Sequence, residues 1–103
     1  MISKGGRVER RLSVTLRVRI ASLDRPWLTE LAMTENVSPF GARILVQDAW
    51  KPGERVLVES PGGVSSCEAH VVYCELLKTG TTAVGLRLAR PRLDWMSRRR
   101  RIG

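Results

Sequence analysis

The chain has few of the residues from which enzyme and metal sites are usually built. Its 103 residues include one histidine, two cysteines and only 5% aromatic residues. This small set offers no zinc-ligand spacing, and no nucleophile is paired with a base. No apolar run approaches the roughly 20 residues of a membrane-spanning helix. The N-terminus, MISKGGRVERR, lacks the apolar core of a signal peptide. These absences predict a cytoplasmic protein that is not an enzyme, holds no metal or cofactor and does not insert into membranes.

Both cysteines fall in one strand-like run, SCEAHVVYCELL. The extended chain between Cys67 and Cys74 spans about 23 Å, whereas a disulfide requires Cα atoms within about 7 Å. Their odd spacing also predicts that they point to opposite faces of the strand. We therefore expect two free thiols that serve as small packing or surface residues.

The formal net charge of +8 is concentrated at the two ends of the chain. Residues 1–20 carry a net charge of +5 and residues 87–103 carry +6, whereas residues 21–86 carry −3. If the ends lie close together in the fold, they form one surface that attracts anions. Nucleic acid, an anionic membrane surface and a small phosphorylated ligand are the candidate partners.

Strand signals dominate the sequence. Strict alternation of apolar and polar residues in LSVTLRVRI predicts a half-buried strand over 12–20. Five further strands are predicted over 28–33, 42–46, 55–60, 68–77 and 82–89. Turn signals recur every 8–15 residues, which favours a single all-β barrel or sandwich. The tail over 91–103, with four arginines at 98–101, is expected to form a short helix or a frayed basic tail.

Two polar patterns stand out. In NVSPFG, Asn36 and Ser38 can bond to nearby backbone, Pro39 stiffens the chain, and Gly41 permits a positive φ or a close approach of backbone to a ligand. In GGRVERR, three arginines follow two glycines and form a mobile basic arm. Arginine suits phosphate oxygens and the O6/N7 edge of guanine. Taken alone, the first pattern is in most proteins a structural turn, and the second is usually a solvated terminus.

In this order, the two patterns resemble those of the PilZ domain, a cytoplasmic bacterial receptor module for the second messenger cyclic di-GMP. The family pattern R-x-x-x-R reads RVERR here, from Arg7 to Arg11. The second pattern, D/N-x-S-x-x-G, reads NVSPFG, from Asn36 to Gly41. KPGERVLVES and EAHVVYCELLKTGTTAVGLRL are similar to later strands of the family, with Leu88 in place of an aromatic residue. The resemblance covers roughly residues 7 to 90.

The resemblance implies a six-stranded antiparallel β-barrel with a C-terminal helix. The arginine arm would occupy 1–11, the barrel about 12–90 and the helix or basic tail about 91–103. The ligand, often an intercalated pair of cyclic di-GMP molecules, would lie across the barrel and be clamped by the arm. The residues implied to bind it are Arg7, Arg10, Arg11, Asn36, Ser38 and Gly41.

The resemblance also implies a function and leaves alternatives open. The expected function is a monomeric or weakly dimeric receptor whose arm becomes ordered on binding cyclic di-GMP and signals to a partner protein. Asn36 stands where Asp is commoner, which predicts weaker binding. One alternative is a PilZ-like adaptor that binds a protein and no nucleotide. Another is a basic barrel that binds nucleic acid. This alternative is less favoured because the chain has few aromatic residues, and Trp27, Phe40 and Trp50 are expected in the core or plugging loops.

Overall fold

Alternating apolar side chains close six strands into an antiparallel barrel. The computed structural model describes residues 11–60, 62 and 65–91. Around the barrel the strands follow the order β1-β2-β3-β6-β5-β4, and β4 pairs with β1 to close it. The strands are β1 (Arg17–Ser22), β2 (Thr29–Ser38), β3 (Gly41–Val46), β4 (Arg55–Glu59), β5 (Ser66–Leu76) and β6 (Thr82–Leu88).

This architecture confirms the predicted all-β, six-stranded antiparallel barrel. The predicted C-terminal helix or basic tail lies outside the described residues, apart from Pro91, and so do residues 1–10 of the arginine arm. The described part of the chain contains no helix of the length and hydropathy that a membrane-spanning segment requires.

The inward-facing side chains form one apolar core. Valine and isoleucine dominate it, because β-branched side chains pack well on a pleated surface. Burying a side chain of this size stabilises the fold by roughly 1.5–3 kcal/mol relative to leaving it exposed. The largest apolar side chains that are fully buried are Val18, Ile20, Val37, Ile44, Val46, Val56, Val58, Val71 and Val84.

The first strand begins later than its sequence pattern predicted. Alternation predicted a strand over 12–20, but β1 begins at Arg17. The preceding residues still run beside β2, where Leu12 and Val37 form an isolated antiparallel bridge. The five residues from Leu12 to Leu16 face only the four residues of β2 from Thr34 to Val37, so a regular ladder cannot continue.

The second strand is longer than predicted and includes the first half of the polar motif. It was expected to end at 33 but extends to Ser38, because the register against β3 shifts between Thr34 and Asn36. Glu35 is the extra residue of this β-bulge, which changes the phase of the alternation. The turn is therefore shorter than predicted: Ser38 pairs with Gly41, and only residues 39 and 40 connect the strands.

A second bulge, in β5, changes the face that its later residues occupy. The register against β6 shifts between Val71 and Tyr73, which leaves Val72 as the extra residue. Beyond the bulge, Cys74 packs against the same core that buries Cys67. The prediction that the two cysteines point to opposite faces is wrong, because it assumed unbroken alternation. Both are free thiols, as predicted.

A buried carboxylate joins the β1–β2 turn to the loop before β4. Glu54 is 6% exposed. It accepts hydrogen bonds from the Ser22 hydroxyl at 2.6 Å, from Nε and Nη2 of Arg25 at 2.7 Å, and from the Lys51 N–H at 3.1 Å. The hydrogen bonds from Arg25 lower the pKa of Glu54 to about 2, against the opposing effect of burial. The ionised form of Glu54 therefore stabilises the native state.

We expect Glu54→Gln to lower the free energy of unfolding by about 2 kcal/mol at neutral pH, because it leaves buried hydrogen-bonding groups and Arg25 without their anionic partner. The ordinary pKa of 4.5 lies above the native value of about 2. The contribution of Glu54 is thus complete above pH 4.5 and is lost as the pH falls towards 2. Urea unfolding across this pH range measures it.

Glu59→Gln is the matched control. Glu59 pairs with Arg19 at 3.3 Å on the surface, where both side chains are more than a third exposed. Removing this pair should change the free energy of unfolding by less than about 1 kcal/mol. Equal losses in both variants, or a loss for Glu54→Gln that does not diminish between pH 4.5 and 2, would contradict the assigned role of Glu54.

Candidate functional site

Two of the predicted binding residues meet on the outer surface of the barrel. Nη1 of Arg11 donates a hydrogen bond to Oδ1 of Asn36 at 2.6 Å, across a sequence separation of 25 residues. The last arginine of the arm therefore contacts the first residue of the polar motif. Arg7 and Arg10 lie outside the described residues, and their part in the site stays a prediction.

Backbone hydrogen bonds hold Arg11 in this position. Leu12, the next residue, donates its N–H to the Val37 carbonyl at 2.8 Å and accepts from the Val37 N–H at 2.9 Å. Val37 in turn is next to Asn36 in β2. The contact between Arg11 and Asn36 thus depends on a bridge between their immediate neighbours as well as on the two side chains.

Ser38 and Gly41 occupy a tight hairpin that packs on β6. Ser38 is fully buried, and its hydroxyl donates to the Gly41 carbonyl at 3.4 Å. A Cβ at Gly41 would lie 2.7 Å from the Leu86 carbonyl oxygen. Gly41 does not have a positive φ. Glycine is required at position 41 because the backbone there lies close to β6. A ligand contact by Ser38 or Gly41 stays a prediction.

Strand pairing extends the Asn36 position into a row across four strands. Asn36 pairs with Arg43 in β3, Arg43 pairs with Gly85 in β6, and Gly85 pairs with Tyr73 in β5. These four residues, together with Arg11, form what we call the outer strip. The strip depends on both bulges, because each one turns a residue outward that unbroken alternation would turn inward.

Arg43 lies in the middle of the outer strip and is held by three side chains. It donates to Glu35 at 2.6 Å, to the Tyr73 hydroxyl at 3.1 Å and to Glu75 at 3.1 Å. The hydrogen bond to Glu35, followed by the one to Tyr73, raises the pKa of Arg43 above its ordinary value. The charge of Arg43 is therefore compensated by two neighbouring carboxylates.

Gly85 allows the aromatic ring of Tyr73 to lie against the barrel. A Cβ at Gly85 would come within 2.1–2.6 Å of three ring atoms of Tyr73, so no larger residue fits beneath the ring. Tyr73 nevertheless remains 40% exposed. The guanidinium carbon of Arg43 lies 5.9 Å from the ring centroid. The result is a fixed, partly exposed aromatic surface at one end of the outer strip.

The other end of the outer strip carries uncompensated positive charge. Within the described residues, no carboxylate lies within ion-pair distance of Arg11 or Arg87. Arg87 is exposed and pairs with Gly41, one row from Arg43. Arg19 lies on β1, so the described basic residues of the two chain ends do not all meet in one surface. An anion is attracted to Arg11 and Arg87 more strongly than to the compensated Arg43.

This arrangement is suited to binding a flat, anionic molecule. Arg11 and Asn36 offer hydrogen-bond donors and an acceptor, and Tyr73 offers part of a ring face. The outer strip is open surface; a cavity of about 650 Å³ lies elsewhere, between Leu57, Cys67 and Arg90. Among residues 11–60, 62 and 65–91, no group of three or more His, Cys, Asp and Glu could hold a metal ion.

Of the three aromatic residues expected in the core or plugging loops, one is placed as predicted and two are not. Trp50 is buried and 4% exposed, as predicted for a packing residue. Trp27 is 77% exposed in the β1–β2 turn, and Phe40 is 44% exposed in the β2–β3 turn. The prediction that both are core or plug residues is wrong, because each lies in a turn between two strands and exposes its ring.

The sequence patterns do not single out Arg43, Tyr73 and Gly85. Arg43 and Tyr73 are outside both motifs, and their proximity depends on the pairing of β3 with β6, two strands that are not consecutive in the chain. A weak signal existed, since a glycine within an otherwise apolar strand often marks the close approach of another group. Gly85 in TAVGLRL is such a glycine.

Comparisons with known proteins support the fold. No protein-family model matches the chain, and no curated protein matches it. Among solved structures, it is similar to the Bacillus subtilis inhibitor of motility MotI/DgrA, with a TM-score of 0.62 and 19% identity. The similarity covers 90% of this chain and 46% of that one, so this chain spans about half its neighbour's length. At this identity the comparison supports the barrel fold alone and says nothing about a ligand.

We expect Gly85→Ala to lower the free energy of unfolding by about 1–3 kcal/mol, because the added methyl group overlaps the Tyr73 ring. In a Tyr73→Ala background the same substitution should be within about 1 kcal/mol of neutral, since a strand tolerates alanine at least as well as glycine. A double-mutant cycle measured by urea unfolding gives this coupling. Additive effects of the two substitutions would mean that the ring does not lie over Gly85.

Proposed function

We propose that this protein is a stand-alone binding module of the PilZ type that takes cyclic di-GMP on the outer strip. The proposal makes it a cytoplasmic bacterial receptor, without catalytic activity, that acts through a partner protein. A monomer or weak dimer suffices for this role. The barrel fold supports the proposed scaffold, and the side chains of the outer strip support the proposed contacts with the ligand.

The observation that carries the proposal is the hydrogen bond between Arg11 and Asn36. The two motifs lie 25 residues apart in sequence, and each is common by chance. Their contact on one face of a closed barrel is what a shared ligand site requires. A purely structural turn would not need an arginine without a carboxylate partner at this position.

Cyclic di-GMP offers phosphate groups and guanine bases, and the outer strip offers a partner for each. Arg11 uses one Nη1 donor on Asn36, so its other donors remain for a phosphate or a guanine edge. The amide nitrogen of Asn36 can donate to the same ligand. Tyr73 would give a base a surface on which to stack, an interaction that favours planar ligands over inorganic phosphate.

The remaining motif residues would act from the arm and the hairpin. We place Arg7 on a guanine edge or phosphate and Arg10 on a phosphate or a base face. Ser38 and Gly41 would shape the hairpin beneath the ligand. An intercalated pair of ligands would present more phosphate charge than one molecule and would match the high positive charge of the chain ends.

Ordering the arm provides a way to signal. Fixing a free backbone costs roughly 1–2 kcal/mol per residue, which the attraction between the arginines and the phosphates would offset. The bound arm would then present a different surface to a partner protein. Asn36 in place of the commoner Asp offers one acceptor atom where a carboxylate offers two, so we expect weaker binding than an aspartate would give.

A nucleic-acid-binding barrel is the second candidate. The exposure of Trp27 and Phe40 favours it, because exposed aromatic rings can stack on unpaired bases. A PilZ-like adaptor that binds a protein and no nucleotide is a third. The uncompensated charge of Arg11 beside Asn36, with the exposed ring of Tyr73 at the other end of the outer strip, favours the cyclic dinucleotide over both.

Isothermal titration of cyclic di-GMP into the purified protein tests the proposal. We expect micromolar or tighter binding, with a heat that GTP and a short DNA duplex do not reproduce. Arg11→Ala and Asn36→Ala should each weaken binding at least about tenfold, because each removes hydrogen bonds to a charged ligand. The Arg7→Ala/Arg11→Ala double variant should abolish it.

Arg55→Ala is the matched control, since it also removes one positive charge. The side chain of Arg55 is 66% exposed and pairs with Asp24, and Arg55 lies on β4, a strand that the outer strip does not cross. Its affinity should stay within about twofold of wild type at physiological salt, where distant charges are screened. No heat at high protein concentration would refute the receptor proposal, and salt-sensitive binding to DNA would favour the nucleic-acid candidate.

A further inference from the structure

Thr34 holds the segment that leads into the outer strip. It lies in β2, two residues before Asn36, and is 2% exposed. Its Oγ1 accepts a hydrogen bond from the Leu16 N–H at 2.8 Å and donates one to the Val14 carbonyl at 2.7 Å. Its own N–H donates to the Leu16 carbonyl at 2.9 Å. One residue thus makes three hydrogen bonds to the segment between Arg11 and β1.

The hydroxyl of Thr34 provides hydrogen-bond partners that the backbone of β2 does not provide to residues 14 and 16. The segment from Leu12 to Leu16 has one more residue than the stretch of β2 beside it, so regular pairing with β2 stops at Leu16. Without the hydroxyl, the Leu16 N–H and the Val14 carbonyl would lose their partners. Backbone groups that are partly buried and unpaired are costly, so the segment would leave the barrel surface to reach water.

Two attachments therefore fix the course of residues 12–16. Thr34 holds one end, and the bridge between Leu12 and Val37 holds the other. Arg11 follows directly after the second attachment, where it meets Asn36. The side chains of residues 12, 14 and 16 pack against the core between the two, which keeps the segment close to the barrel.

We propose that Thr34 is a positioning residue of the outer strip: its hydroxyl fixes residues 12–16 so that Arg11 lies against Asn36. Thr34 does not touch the ligand. It reduces the number of positions open to Arg11 before binding, so part of the ordering cost is met when the protein folds. The effect on ligand affinity rests on the proposed function, whereas the effect on the position of Arg11 does not.

Two substitutions separate the hydroxyl from the shape of the side chain. Thr34→Val keeps the volume and removes both side-chain hydrogen bonds, and Thr34→Ser keeps the hydroxyl. Amide hydrogen exchange under native conditions is the first readout. The Leu12 amide should exchange about tenfold faster in Thr34→Val, although its own bond to Val37 is unchanged. It should stay within about threefold of wild type in Thr34→Ser.

The amides of Ile20 and Ile44, in the barrel core, report whether the whole fold is weakened. If exchange at Leu12 rises no more than at these core amides, Thr34 acts only on global stability and the inference is wrong. A faster Leu16 amide alone, with Leu12 unchanged, would show a local lost bond without an effect on the arm and would also refute it.

Titration with cyclic di-GMP is the second readout. We expect Thr34→Val to weaken binding about fivefold or more and Thr34→Ser to restore it to near the wild-type value. Equal affinity in all three proteins would overturn the link between Thr34 and binding. If wild type itself does not bind, the receptor proposal fails, and the exchange at Leu12 still decides whether Thr34 positions Arg11.

Discussion

The bulge at Glu35 is the constraint on which the outer strip depends. In an unbroken strand, residues 34 and 36 would share a face, and a buried Thr34 would turn Asn36 into the core as well. The extra residue lets Thr34 point inward while Asn36 points outward. The bulge at Val72 does the same for Tyr73. Two irregularities on separate strands therefore bring a polar and an aromatic side chain into one row of the outer surface.

Part of this architecture could be predicted from sequence because it follows from local patterns. Alternation located all six strands, and turn residues located their connections. The errors fall where alternation changes phase. Alternation places Asn36 in a turn, because the pattern of its strand ends at 33, and it places Cys74 on the wrong face of β5. A bulge leaves no composition signal, since it depends on how a partner strand is aligned.

The residues of the candidate site also divide into those that sequence patterns identify and those that only the fold brings together. Arg11 and Asn36 were identified by motif, because such patterns place specific chemistry at fixed spacing. Arg43, Tyr73 and Gly85 were not, because their contact requires β3, β6 and β5 to lie side by side in an order that the chain does not follow. Thr34 was missed for another reason: a lone threonine in a strand pattern looks like an ordinary β-branched residue.

Stability and binding are assigned to different parts of the barrel. The Glu54 network joins a turn and a loop on the β1 and β4 side, whereas the outer strip crosses β2, β3, β6 and β5.

The central claim is that the ligand lies on the outer strip. A nuclear magnetic resonance titration of labelled protein with cyclic di-GMP tests it most directly. The account predicts shift changes at the amides of Arg11, Asn36, Arg43 and Tyr73, with those of Arg55 to Glu59 unmoved. Changes centred on β1 and β4, or none at saturating ligand, would contradict it.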